Sequence, residues 1–72
     1  MRTGKINLNA NGRYELVGVE LTSGDPLDLL IEGHWIRGHL EFWADAYYWF
    51  SRTDNIAVVL RSGLTARVSE RR

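Results

Sequence analysis

Besides its carboxylates, His34 and His39 are the side chains of this chain that suit proton transfer or metal binding; it has 72 residues and no cysteine. On a strand, residues five apart point to opposite faces, so His34 and His39 cannot chelate one ion without a bulge. His39 and Glu41 lie two apart and share a face, which suits a hydrogen-bonded acid–base pair. No serine or threonine sits at an evident nucleophile turn, and no glycine-rich phosphate loop precedes a helix. Asp25, Asp28, Glu32, Asp45 and Asp54 do not match the spacing of a calcium loop and read as turn formers and solvated strand faces. The expectation is a non-enzymatic protein with no catalytic residues, no metal and no cofactor.

Aromatic residues are the unusual feature. The segments Gly33–Phe42 and Tyr47–Phe50 hold six of the eight Phe, Trp and Tyr residues. They read as two arms of a hairpin turning at Trp43-Ala44-Asp45-Ala46. Alternation puts Ile36, Gly38, Leu40 and Phe42 on one face, the core side, and Trp35, Arg37, His39 and Glu41 on the other. If Tyr48 and Phe50 point inward, Tyr47 and Trp49 emerge beside Trp35 and Arg37. The candidate binding set is therefore Trp35, Arg37, Tyr47 and Trp49. Two fates are open to these outward rings. An N-terminal hairpin covers them, or they form an exposed patch, which marks a binding surface. An exposed patch fits a protein partner or a second copy of the chain, with the rings as anchors and Arg37 supplying polar contacts. It also fits a single-stranded nucleic acid, whose bases would stack there while Arg37, Arg52, Arg61 and Arg67 neutralise phosphates. Nine Lys+Arg against nine Asp+Glu favour the protein partner. A methyl-lysine cage needs rings converging around a cation, and residue order does not show that convergence.

The elements that must position these residues read as strands throughout. Lys5–Leu8 and Arg13–Val17 flank the hairpin signal Asn11-Gly12, predicting an N-terminal hairpin with Ile6, Leu8, Tyr14 and Leu16 inward. Val19–Leu21 resumes as extended chain. Thr22–Pro26 is a turn cluster with the single proline. Leu27, Leu29 and Ile31 alternate inward on the next strand, and Glu32-Gly33 makes a tight turn. After the polar loop Ser51–Asn55, the apolar run Ile56–Leu60 predicts a strand covered on both sides. Arg61–Leu64 is short enough for one helical turn, and Thr65–Val68 reads as a last strand. Leu27, Leu29, Ile31, Ile36, Leu40, Val58, Leu60 and Val68 are the expected core. Gly38 is expected where packing or backbone geometry excludes a side chain.

No segment keeps a helical period over ten positions, so the chain reads as all-β, with five to seven short strands. Residues 1–68 form one domain and 69–72 a frayed tail. A chain this short buries only about 60% of the surface its unfolded form exposes, and closure into a barrel would remove exposed edges. No run approaches the roughly 20 apolar residues of a membrane helix. No signal-peptide pattern opens the chain, so no membrane contact and a cytoplasmic location are expected.

The succession Leu27-Asp28-Leu29, Ile31-Glu32-Gly33, Trp35-Ile36-x-Gly38-x-Leu40-Glu41, Tyr47-Tyr48-Trp49, Ile56–Leu60, Gly63 and Arg67-Val68 resembles an SH3-like small barrel. More closely it resembles a family of small bacterial domains of unknown function, which pair a Gly-x-Trp-Ile-x-Gly strand with a Tyr-Tyr-Trp strand. The resemblance spans about Gly12 to Val68. It implies a bacterial source and a small barrel with an N-terminal hairpin, and brings no catalytic residues.

Overall fold

A computed structural model describes residues 2–51, 53 and 55–68. Among these residues the chain forms nine strands and no helix. They are β1 (Arg2–Lys5), β2 (Asn7–Leu8), β3 (Tyr14–Leu16), β4 (Val19–Glu20), β5 (Pro26–Ile31), β6 (His34–Trp43), β7 (Ala46–Ser51), β8 (Ala57–Val59) and β9 (Thr65–Val68). The anticipated tail at 69–72 and the loop residues Arg52 and Asp54 lie outside the described residues.

Three hairpins share one turn chemistry. Val17-Gly18, Glu32-Gly33 and Ala44-Asp45 each separate directly paired residues, Leu16 with Val19, Ile31 with His34 and Trp43 with Ala46. Both residues of every pair have positive φ, 50° and 79°, 52° and 80°, 51° and 66°. Two-residue loops of this form match the right-handed twist of the strands they join. The Asn11-Gly12 signal also marks a hairpin, with a longer loop. The Gly12 amide donates to the Asn9 carbonyl, and Asn9 Oδ1 accepts from the amides of Asn11 and Arg13.

The strands make a six-stranded antiparallel sheet, ordered β1-β9-β5-β6-β7-β8, and a three-stranded sheet β2-β3-β4. The fold is all-β, but the expected barrel does not close: β1 and β8 end the large sheet with no ladder between them. At Ile6 the chain leaves β1 and enters β2, so it passes from one sheet to the other. Ile6 there bonds to the loop before β9 instead of to β8, its amide donating to Leu64 O at 2.9 Å and its carbonyl accepting from Gly63 N at 2.9 Å. Side chains bridge the remaining gap. Tyr14 Oη donates to Leu60 O at 3.0 Å, and the Leu8 amide donates to Ser62 Oγ at 2.9 Å.

The small sheet covers one face of the large one. Ile6, Leu16 and Leu21 from its side pack with Leu27, Leu29, Leu40, Trp49, Leu60 and Ala66 in a single core. Of the expected core residues, Leu27, Leu29, Leu40 and Leu60 are buried, while Ile31, Ile36, Val58 and Val68 are half-buried against them. Several expectations need correction. Leu8 is 53% and Phe42 51% exposed, because each lies where its ladder runs past the edge of the core. Residues 61–64 form a turn with Gly63 at φ 100° and not a helical turn. Strand β8 is an edge, so its apolar run is not covered on both sides; Val59 is 58% exposed.

Candidate binding face

Cross-strand partners in an antiparallel sheet share a face, so the ladders fix which residues stand opposite the core. With Leu27, Leu29 and Leu40 buried, the other set on β5 and β6 is Pro26, Asp28, Leu30, Trp35, Arg37, His39, Glu41 and Trp43. Pairings of His39 with Phe50 and Glu41 with Tyr48 add those two rings from β7. Pairings of Tyr48 with Val59 and Phe50 with Ala57 add the outer side of β8. Asp28 paired with Arg67, and Arg67 with Thr3, extend the face over β9 and β1.

The N-terminal hairpin packs on the opposite face and does not cover this one. The rings form a row on it, with Trp43 exposed and His39, Tyr48 and Phe50 half-buried. His39 stacks on Phe50 at 5.9 Å, Phe50 meets Tyr48 at 6.2 Å, and Tyr48 meets Trp43 at 6.1 Å. Trp43 ends the row 68% exposed, and Val59, paired with Tyr48, is an exposed apolar neighbour, while exposed Leu30 lies at the far end beside Trp35. Trp35 stands apart, capped by Arg67, whose guanidinium carbon lies 4.4 Å from the ring centroid. Arg67 is held there by Asp28, Nε to Oδ2 2.9 Å, so its charge is locally balanced.

Two of the four candidate residues are where the sequence reading put them, and two are not. Trp35 and Arg37 stand on the outer face, Arg37 exposed opposite Asp28. Trp49 is fully buried at 0% exposure, and Tyr47 points to the core side, edge-on to Tyr14 at 6.1 Å. The reason is register. A two-residue turn at Ala44-Asp45 pairs Leu40 with Trp49 and Phe42 with Tyr47, so an inward Leu40 carries Trp49 inward. Buried Trp49 satisfies its ring N–H by donating to Leu27 O at 2.6 Å. The rings that do emerge, Tyr48 and Phe50, are those expected inside.

His39 and Glu41 do form the anticipated pair, Nε2 to Oε2 3.1 Å, and Ser23 Oγ donates to the other Glu41 oxygen at 3.1 Å. The pair stands on the open face and is not enclosed. His34 begins β6, exposed, on the side away from His39. No group of three His, Cys, Asp or Glu among the described residues is placed to hold a metal ion. A cleft of about 400 Å³ lies elsewhere, between the Asn11–Arg13 loop, the Thr22-Ser23 turn and the rings of Phe42 and Tyr47. No helix among the described residues is long and apolar enough to cross a membrane.

The fold and the face define a small all-β domain with one covered and one open sheet surface. Residues 2–68 match the model of a family described as Domain of unknown function (DUF5348), and the chain belongs to that family. No curated protein and no solved structure matches it.

Proposed function

We propose that this domain is a non-enzymatic interaction module that contacts a protein partner through the outer face of its large sheet. The observation that carries the proposal is the ring row on this face, half-buried Phe50 and Tyr48 leading to exposed Trp43 and flanked by exposed Val59, on a domain that already has a core on its other side. Aromatic residues supply large, stiff contact area and concentrate at binding hot spots. Trp35 and Arg37, proposed as contacts from the sequence, remain part of the face. Tyr47 and Trp49 are replaced in that role by Tyr48 and Trp43.

The charge distribution favours a protein over a nucleic acid. The outer face carries Lys5, Arg37 and Arg67 against Asp28 and Glu41, and Arg67 is paired with Asp28. A phosphate track needs unbalanced cations along a groove. The His39–Glu41 pair lacks the enclosing site that catalysis requires to exclude water and position a substrate. The proposal treats the fold as an opened relative of SH3-like barrels. It keeps the bacterial source implied by the resemblance, and a cytoplasmic location.

Site-specific photocrosslinking in cells tests it. A photoreactive residue at position 43 should capture a partner, and one at exposed position 8, on the small sheet, should not. Equal capture from both positions, or capture from position 8 alone, contradicts the proposal.

A further inference from the structure

We infer that the free edge of β8 is a self-association site, at which a second copy of this chain adds its own β8 antiparallel. The evidence begins with the backbone. Leu60 N donates to Tyr47 O and Ser51 N donates to Ile56 O, so Ile56 and Leu60 turn their peptide groups toward β7. The ladder alternates, and Val58, opposite Trp49, does the same. Ala57 and Val59 therefore direct their N–H and C=O groups away from the sheet, where no described residue meets them. Such a row is a template for another strand.

Composition selects this edge and this occupant. The segment Ile56–Leu60 contains no charged residue and no proline, the devices that usually protect an edge. The other end of the large sheet, β1, carries Arg2 and Lys5, and the edge strands of the small sheet, β2 and β4, have two residues each. A head-to-tail contact of β8 on β1 would have to accommodate those cations and would propagate without closing. Antiparallel pairing of β8 with itself closes on a two-fold axis. Centred on Val58, it sets Ala57 opposite the partner's Val59, and the reverse, so that four outward peptide groups of each copy form four hydrogen bonds in all. No like charges face each other within the paired segment, and Arg61 falls opposite the partner's Asn55, with the two Arg61 residues at opposite ends of the ribbon.

An axis normal to the sheet keeps both outer faces on one side. The ring row of one copy then runs through Val59 and the partner's Ala57 into the row of the other. This pairing uses the backbone edge and does not depend on the face binding another protein.

The test is amide hydrogen exchange by NMR on the full chain, read with sedimentation equilibrium from micromolar to millimolar concentration. A concentration-dependent dimer should form in which the Ala57 and Val59 amides gain protection, while exchange at Glu15 and Glu20 on the small sheet stays unchanged. Val59→Lys, at an exposed side chain, should weaken the dimer on the order of tenfold or more by placing a charge in the pairing edge. Ala57→Pro, which removes an outward N–H that β7 does not use, should abolish it. Circular dichroism establishes that each variant remains folded, and wild-type exchange data stand if Ala57→Pro does not. A monomer at every concentration overturns the inference. So does a dimer in which the Ala57 and Val59 amides exchange as in the monomer; if Trp43→Ala dissociates that dimer, self-association uses the ring face instead.

Discussion

The indole of Trp49 fills the space that a side chain at position 38 would occupy. A Cβ built on Gly38 would run into Nε1 and Cε2 of Trp49 and the carbonyl oxygen of Phe50, far inside van der Waals contact. The ring reaches across from the neighbouring strand, and its N–H ends on Leu27 O, one strand further on. One ring thus ties β5, β6 and β7 together beneath the open face. Gly38→Ala should therefore destabilise the domain by about 1–3 kcal/mol through overpacking, and Gly38→Val by more. In a Trp49→Leu background the Gly38→Ala penalty should shrink but not vanish, because the ring is gone while the Phe50 carbonyl oxygen stays in the way. Denaturant unfolding of the four proteins of this cycle measures the coupling; additive penalties contradict the packing described.

Core burial makes a second prediction. Leu29 is buried between the two sheets, and Leu29→Ala should cost about 2–5 kcal/mol, a large share of the stability expected of a domain this small. A thermal midpoint within a degree or two of wild type would show that this strand face is not the core.

The turns offer a stabilising change. Val17 has φ 50° in an exposed turn, a conformation that a β-branched residue adopts only with strain. Val17→Asn creates an Asn-Gly turn suited to positive φ and should add about 1 kcal/mol. Ala44→Asn at φ 51° should act in the same direction. Unfolding midpoints check both; a loss of stability in the pair would mean that these turns are not of the assigned form.

Much of this fold was legible in the sequence, and the errors have identifiable causes. The Glu32-Gly33 and Ala44-Asp45 turns and the alternation of Leu27, Leu29, Ile36 and Leu40 follow from local chemistry and are present. The orientation of Trp49 also follows from them, because a two-residue turn after Trp43 pairs position 40 with 49. What misled was treating Tyr48 and Phe50 as the larger share of the core, when Gly38 had already reserved room for an indole. Closure was less accessible to sequence reasoning. It depends on where β1 bends at Ile6 and on the bonds from Ile6 to Gly63 and Leu64, which join residues far apart in the chain.

Acid should loosen the N-terminal hairpin loop. Hydrogen bonds from Asn11 and Asn9, with the nearby charge of Arg13, hold the Glu20 carboxyl below its ordinary pKa. A depressed folded-state pKa contributes stability that is present above the unfolded value and lost as pH falls through the folded one. Carboxyl NMR titration should therefore find Glu20 titrating below the usual glutamate range, and Glu20→Gln should remove that acid-side transition from the side-chain amide of Asn11, whose carboxylate partner is Glu20, whereas Asn9 also donates to Glu15. A Glu20 that titrates at or above the usual value contradicts the bonding.

The central claim is that the uncovered ring face, and neither the small sheet nor the cleft, receives the protein partner. The direct measurement is a ¹⁵N-resolved titration of the domain with the partner captured from position 43, repeated with Trp43→Ala and Tyr48→Ala. The account predicts perturbed amides along β6, β7 and β8 centred on Trp43 and Tyr48, indole N–H changes at Trp43 and Trp35 with little at buried Trp49, and a loss of about 2 kcal/mol of binding in each folded variant. Perturbations centred on the small sheet or on the cleft at Arg13 and Phe42, with both variants binding as wild type, would contradict it.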